Sequence, residues 1–318
     1  MKRALVSVLA VLTAGQVWAA GFQSKQVSSS ATWVVHADVE KLRQTQVGGF
    51  ILGKLNEGEA ANKLAAFAAV FGFDPRKDLN TVTLYGKSKD PAQSVVLAGG
   101  TFNGDQLVTL LKANNTYESQ AYGTYTIHSW IDEKKPNEGR QYGCLHPGGT
   151  ILISHGADML KEALDVLDGK QAGLDTAKVF GGALLADAPF FMAGANISQV
   201  GDVRPDAAVL KQAAGGQMAL AEKDGSVVLA VAVTANSLEA ATNMQSVAQG
   251  MVAMAQLGQE KNPELARIAQ ATRISRDGNT VRLDLTYPVN ETIALLEAGM
   301  AKRAQFQAAH GAQTPQAH

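Results

Sequence analysis

Cysteine is almost absent from the sequence: Cys144 is the single one in 318 residues, so no disulfide can form within the chain. A protein of this length can build hydrophobic cores without such cross-links, and the lone thiol is expected to be buried and unreactive. Aromatic residues are scarce, at 6 %, which leaves few large anchors for a hot-spot interface. Neither sign of charge dominates: 28 basic residues face 29 acidic ones, a net charge of −1. Without a basic excess there is no electrostatic footprint for nucleic acid. No Gly-x-Ser-x-Gly elbow, His-Glu-x-x-His helix, Cys-x-x-Cys or His-x-x-x-His pair occurs. The compact signatures of hydrolases and metal centres are therefore missing.

Long apolar runs are missing as well. Ala4 to Ala14 is uncharged and mostly apolar, but a membrane-spanning helix needs about 20 such residues. With Met1-Lys2-Arg3 ahead of it and Val17-Trp18-Ala19 behind it, the run reads as a secretory signal over residues 1–19, cleaved before Ala20. No cysteine stands at the cleavage point, so no lipid anchor is expected. Loss of Lys2 and Arg3 moves the net charge to about −3. The protein is expected to be exported, periplasmic or secreted, with no transmembrane segment in the mature chain.

What the sequence does contain is an echo. Ser94-Val95-Val96-Leu97-Ala98 returns letter for letter as Ser226-Val227-Val228-Leu229-Ala230, and such internal repetition bears on the whole architecture. Thr32 to Val39 likewise matches Phe190 to Ile197, each an apolar strand ending in a small residue and then Asp38 or Asn196, either of which can cap a following helix. Trp33, Val35, Ala37 and Val39 share one face at period two and read as its inside. Helical patterns follow over Leu42 to Leu55 and Lys63 to Phe71, with a shorter counterpart around Asp206 to Ala214. Each half then reads hairpin, helix, hairpin, helix, and Asp224-Gly225 is a strong tight-turn signal. The first half alone inserts one more hairpin, Arg140 to His146 and Thr150 to His155.

Tight hairpins demand antiparallel pairing, and the helices need a sheet face to pack against. The expected fold is therefore α+β, two tandem, diverged copies of an antiparallel sheet covered by helices. A polar leader is expected over 20–30, the first repeat over 31–170, the second over 171–304 and a disordered tail over 305–318. With its opening Ala31-Thr32-Trp33-Val34-Val35-His36-Ala37-Asp38-Val39, the pattern resembles exported bacterial proteins of uncharacterised activity built from two α+β halves. The resemblance implies compartment and fold, and no mechanism.

Few residues invite chemistry. His36 and Asp38 fall on the same side of a strand, roughly 6.5–7 Å apart at the backbone, where a carboxylate could orient an imidazole as a base. The plainer alternative makes Asp38 a helix cap and leaves His36 at the strand end. Cys144, His146, His155 and His128 suggest a metal site by composition. However, His146 and His155 stand on the order of 13 Å apart along their hairpin, too far to share a zinc ion. Gly99-Gly100-Thr101-Phe102-Asn103-Gly104-Asp105 imitates a phosphate loop but offers Asp105 where a lysine is needed, so it reads as a turn. No cofactor and no metal are expected.

The least ordinary element is Ser237 to Leu257, in which Glu239 is the only charge. Met244, Val247, Met251 and Met254 fall at three- and four-residue spacing, either a core stripe facing the sheet or an adaptable surface for a partner or an apolar ligand. The functional expectation is an exported non-catalytic binding or scaffold protein whose partner is a protein or envelope component. One alternative is a carrier of an apolar ligand held between sheet and helices near the Met stripe; the other is a hydrolase using His36 and Asp38, with His128 as a further candidate.

Overall fold

The computed structural model describes residues 21–176, 189–200 and 211–311. The expected signal sequence and the last residues of the expected tail lie outside them, as does most of the helix expected around Asp206 to Ala214.

The strands form where hydrophobic alternation and turn residues require them. In the first half they are β1 (Trp33–Asp38), β2 (Leu79–Gly86), β3 (Ser94–Gly100), β4 (Glu118–Tyr122), β5 (Tyr125–Ile131), β6 (Arg140–His146) and β7 (Thr150–Ser154). In the second they are β8 (Phe191–Ala195), β9 (Ala213–Lys223), β10 (Ser226–Ala235), β11 (Thr272–Asp277) and β12 (Thr280–Pro288). The Asp224-Gly225 turn joining β9 to β10 has both central residues at positive φ, 49° and 72°, the backbone twist that suits a two-residue hairpin.

The fold is α+β, but the two halves do not make two sheets. All twelve described strands lie in one antiparallel sheet, in the order β11-β12-β10-β9-β8-β1-β2-β3-β7-β6-β5-β4. The seam is the pairing of β1 with β8, Trp33 opposite Ala195 and Ala37 opposite Phe191. Left unpaired, each would be a sheet edge with exposed N–H and C=O groups; pairing removes both edges at once. The strand order outward from the seam is the same on the two sides, except that β7-β6 stands between β3 and β5 whereas β10 pairs β12 directly. The echoed pentapeptides occupy β3 and β10, each the third strand from the seam.

One face of the first half carries Val34, Tyr85, Val95, Leu152 and Ile127, all buried, under α6 (Ala157–Leu167) and the chain from Phe22 to Ala31. Part of residues 21–31 thus packs into the core: Val27 is fully buried, and Ser28 and Ser30 donate to the Glu162 carboxylate on α6 at 2.6 Å each. In β1 it is Val34, His36 and Asp38 that face this dense core, not Trp33, Val35 and Ala37. Both faces of the sheet are covered, so alternation alone did not distinguish the tighter side.

The opposite face meets the remaining helices. These are α1 (Val39–Arg43), α2 (Gln46–Leu55), α3 (Gly58–Phe71), α4 (Pro75–Asp78) and α5 (Gly104–Lys112), then α7 (Ile197–Val200), α8 (Leu238–Leu257), α9 (Pro263–Gln270) and α10 (Val289–Gly311). Asp38 caps α1 by accepting the Lys41 N–H, Thr45 caps α2 through Gly48, and Ser237 caps α8 through Ala240. Thr45 is also why the helical pattern from Leu42 breaks into two. In the second half α8 closes a smaller core of Ala213, Ala235, Ala240, Ala241, Met244 and Val281. Ala213 and Ala214 belong to β9 rather than to a helix, and α10 continues to Gly311, past the start of the expected tail.

Candidate functional site

The largest cavity among the described pockets lies in the first half, between the sheet and α3 and α5. It measures about 690 Å³, inside the roughly 300–1,000 Å³ range of small-ligand sites. Its floor is the sheet face carrying Val82, Val96, Ala98, Ile151 and Ile153, with Trp130 on β5 at the side. Small residues make the depth. Ala98 offers only a methyl, and a Cβ at Gly143 would stand 3.1 Å from the Trp130 ring, so glycine lets the indole lie against the strand.

The roof is built from helical spacing. Phe67, Val70 and Phe71 on α3 and Leu107, Val108 and Leu111 on α5 project inward at three- and four-residue intervals. Phe67 stacks on Phe71 at 4.4 Å, meets Phe73 edge-on at 5.2 Å, and Phe73 meets Phe102 edge-on at 5.1 Å. Four of the chain's ten phenylalanines line this one cavity, so the scarce aromatics are concentrated here. The sequence signal of the site is the run Phe67, Phe71, Phe73, with Phe102 following β3.

The expected stripe on α8 takes no part in this cavity. Met244 is 5 % exposed and faces the core, but Val247, Met251 and Met254 emerge progressively, Met251 at 68 % and Met254 at 75 %. The stripe is a core contact at one end and bare apolar surface at the other.

Nor do the reactive candidates gather. His36 bonds through Nδ1 to Thr83 Oγ1 at 2.8 Å, not to Asp38. Asp38 Oδ1 accepts the Lys41 N–H at 2.8 Å, and Oδ2 is buried with no partner. Burial pushes the Asp38 carboxyl above its ordinary range and His36 down to about 4. His128 projects from the other face of the sheet, where its Nδ1 meets the Tyr117 hydroxyl at 2.9 Å. Burial, with Lys112 as a lesser cause, also lowers its pKa. Two of the three histidines and carboxylates are thus on one face and the third on the other.

A smaller, polar cavity of about 150 Å³ lies beside His36, between Thr83, the Gly99-Gly100 strand end and the Gly148-Gly149 turn. The Phe22 ring stands edge-on to His36 at 5.5 Å. Around it the glycine loop is closed: the Gly100 N–H donates to Gly149 and the Thr101 N–H to Asp78, at 2.9 and 2.8 Å. Asn103 caps α5 through Gln106, so these N–H groups form a turn and not an anion cradle.

Cys144 is buried and its thiol is pushed up to about 11 by desolvation, the condition of an inert thiol. His146 pairs with Asp168 at 3.5 Å and stacks on Tyr125, away from His155. Among the described residues no three His, Cys, Asp or Glu side chains are placed to hold a metal, and no helix is long and apolar enough to cross a membrane.

No protein-family model matches the chain, and no curated protein does. Among solved structures, crystal form IV of TP0453 aligns with the chain at 7 % identity and a TM-score of 0.45 over 88 % of this chain and 98 % of that one. Crystal form I of TP0453 aligns at 9 % identity and a TM-score of 0.43 over 88 % and 99 %.

Proposed function

We propose that this protein is an exported, non-catalytic carrier that holds an apolar ligand in the cavity between β2, β3, β7, β6, β5 and the helices α3 and α5. The observation that carries the reading is the cavity itself: about 690 Å³, walled by aliphatic and aromatic side chains. An apolar space of this size, left to water, exposes surface whose removal from water is favourable at roughly 25 cal/mol per Å². A ligand of matching chemistry gains that term on entry. The signal-like N-terminal sequence, Met1-Lys2-Arg3 followed by the apolar run Ala4 to Ala14, supports a carrier that works outside the cytoplasm. The separation of His36, Asp38 and His128 leaves the hydrolase reading without an assembled dyad.

The test is binding of a solvatochromic dye, with native mass spectrometry of the freshly purified protein. A co-purifying apolar ligand, or saturable dye enhancement, is expected in the parent protein. Val108→Trp, which fills the roof from α5, is expected to abolish the enhancement while far-UV circular dichroism stays unchanged. Dye binding equal in the parent and in Val108→Trp would move the ligand away from this cavity.

A further inference from the structure

The walls of the cavity are not uniform, and the exception points to the chemistry of what fills it. Resting on the carrier reading, we infer that the ligand is a long-chain amphiphile whose polar end donates hydrogen bonds and carries no negative charge, seated with that end at Asp132.

Apart from the Trp130 indole and the Cys144 thiol, only Asn114 and Asp132 among the lining side chains are polar; no Lys, Arg or His is among them. These two lie together, because Asn114 Nδ2 donates to the carbonyl of Ile131, the residue before Asp132, at 3.0 Å. The cavity therefore has one polar end. Asn114 is largely occupied there, its Oδ1 accepting both the Thr116 N–H at 2.8 Å and the Thr116 hydroxyl at 2.6 Å.

Asp132 is different. Its Oδ1 accepts the Lys134 N–H at 2.9 Å, and its second oxygen has no hydrogen-bond partner among the described residues. The side chain is half-buried, and the adjacent cation Lys135 is bonded to Glu138 at 2.8 Å, with Asp132 acting on it only as a lesser, longer-range charge. An ionised carboxylate accepts and cannot donate, and its bonds to hydroxyl or ammonium donors are strong where water is partly excluded. A hydroxyl or amine head satisfies it. A carboxylate or phosphate head meets a like charge with no cation in the wall to offset it.

The experiment is displacement of Nile red from the full mature chain by dodecanol, dodecylamine and dodecanoate, each below its micelle concentration at neutral pH. The parent protein and Asp132→Asn are compared, with native mass spectrometry for retention of each competitor. Dodecanol and dodecylamine are expected to displace the dye at concentrations at least about tenfold lower than dodecanoate. Asp132→Asn is expected to erase most of the advantage of dodecylamine over dodecanoate and to leave dodecanol nearly unchanged. Dodecanoate displacing as well as or better than the other two in the parent protein overturns the head-group inference and leaves the carrier reading standing. If the parent binds neither the dye nor any of the three chains, the carrier reading falls and this inference with it. Should Asp132→Asn lose its fold by circular dichroism, the ranking in the parent protein decides alone.

Discussion

Single side chains tie the halves together and set the acid behaviour of the fold. Glu222 on β9, in the second half, accepts the N–H groups of Gln46 and Val47 at 2.9 and 3.1 Å and so anchors the N-terminus of α2 in the first. A carboxylate there meets free N–H groups and the positive end of the helix dipole. Glu222→Ala is expected to lower stability by about 1–2 kcal/mol in urea denaturation, with Thr45 still holding the next N–H. His36 acts in the opposite sense. It is 4 % exposed and its folded pKa is about 4, against 6.5 for the free side chain. Between those values the unfolded chain binds the extra proton, so stability is complete above pH 6.5 and is lost as the pH falls towards 4, by up to about 3 kcal/mol. Asp38, whose carboxyl is raised by burial, opposes this only as the carboxylate range is reached. His36→Gln is expected to flatten the slope of unfolding free energy against pH between 6.5 and 4; an unchanged slope would assign the acid sensitivity to other groups.

Among the elements, α3 and α6 are opposites. Five residues of α6 are buried, from Met159 to Val166, whereas none of the 14 residues of α3 is. The roof helix starts at Gly58 and stops at Gly72, both at positive φ, 56° and 71°, and has no side-chain cap at its first turn. It is held to its neighbour through Gln106 Nε2, which donates to the Val70 carbonyl at 2.8 Å. Few buried contacts mean a low local opening free energy. Amide exchange in α3 is therefore expected to be faster than in α6, and to slow when the cavity is filled; equal protection in both helices would contradict this. Gly72→Ala is expected to destabilise by about 1 kcal/mol. A Cβ there also stands 2.3 Å from the flexible end of Gln106, which must move and release the Val70 carbonyl.

For the molecule as a whole, the seam between β1 and β8 is the deciding feature. It converts two halves into one sheet, so the parts share hydrogen bonds rather than merely a linker. Residues 21–176 expressed alone keep β1 but lose its partner β8. That fragment is expected to associate through the open edge, giving a dimer or larger species by size-exclusion chromatography with light scattering. A stable monomer would show that the edge is protected some other way.

The α+β class, the hairpins, most element limits and the helix cap at Asp38 were legible in the sequence. They rest on local physics: turn residues, short polar caps and apolar periods act over a few residues. The echoed stretches Ser94 to Ala98 and Ser226 to Ala230 both fall on strands, β3 and β10, each third from the seam. Three things depended on contacts between residues far apart in the chain. One was the union of both halves in a single sheet, since β1 and β8 look equally complete alone. Another was the partner of His36, which is Thr83, 47 residues away, and not Asp38. The last was the cavity, whose floor on β2, β3, β7 and β6 is roofed by phenylalanines carried by α3 and the segments after α3 and β3. Volume between packed surfaces has no local signature, and the tertiary structure alone determines it.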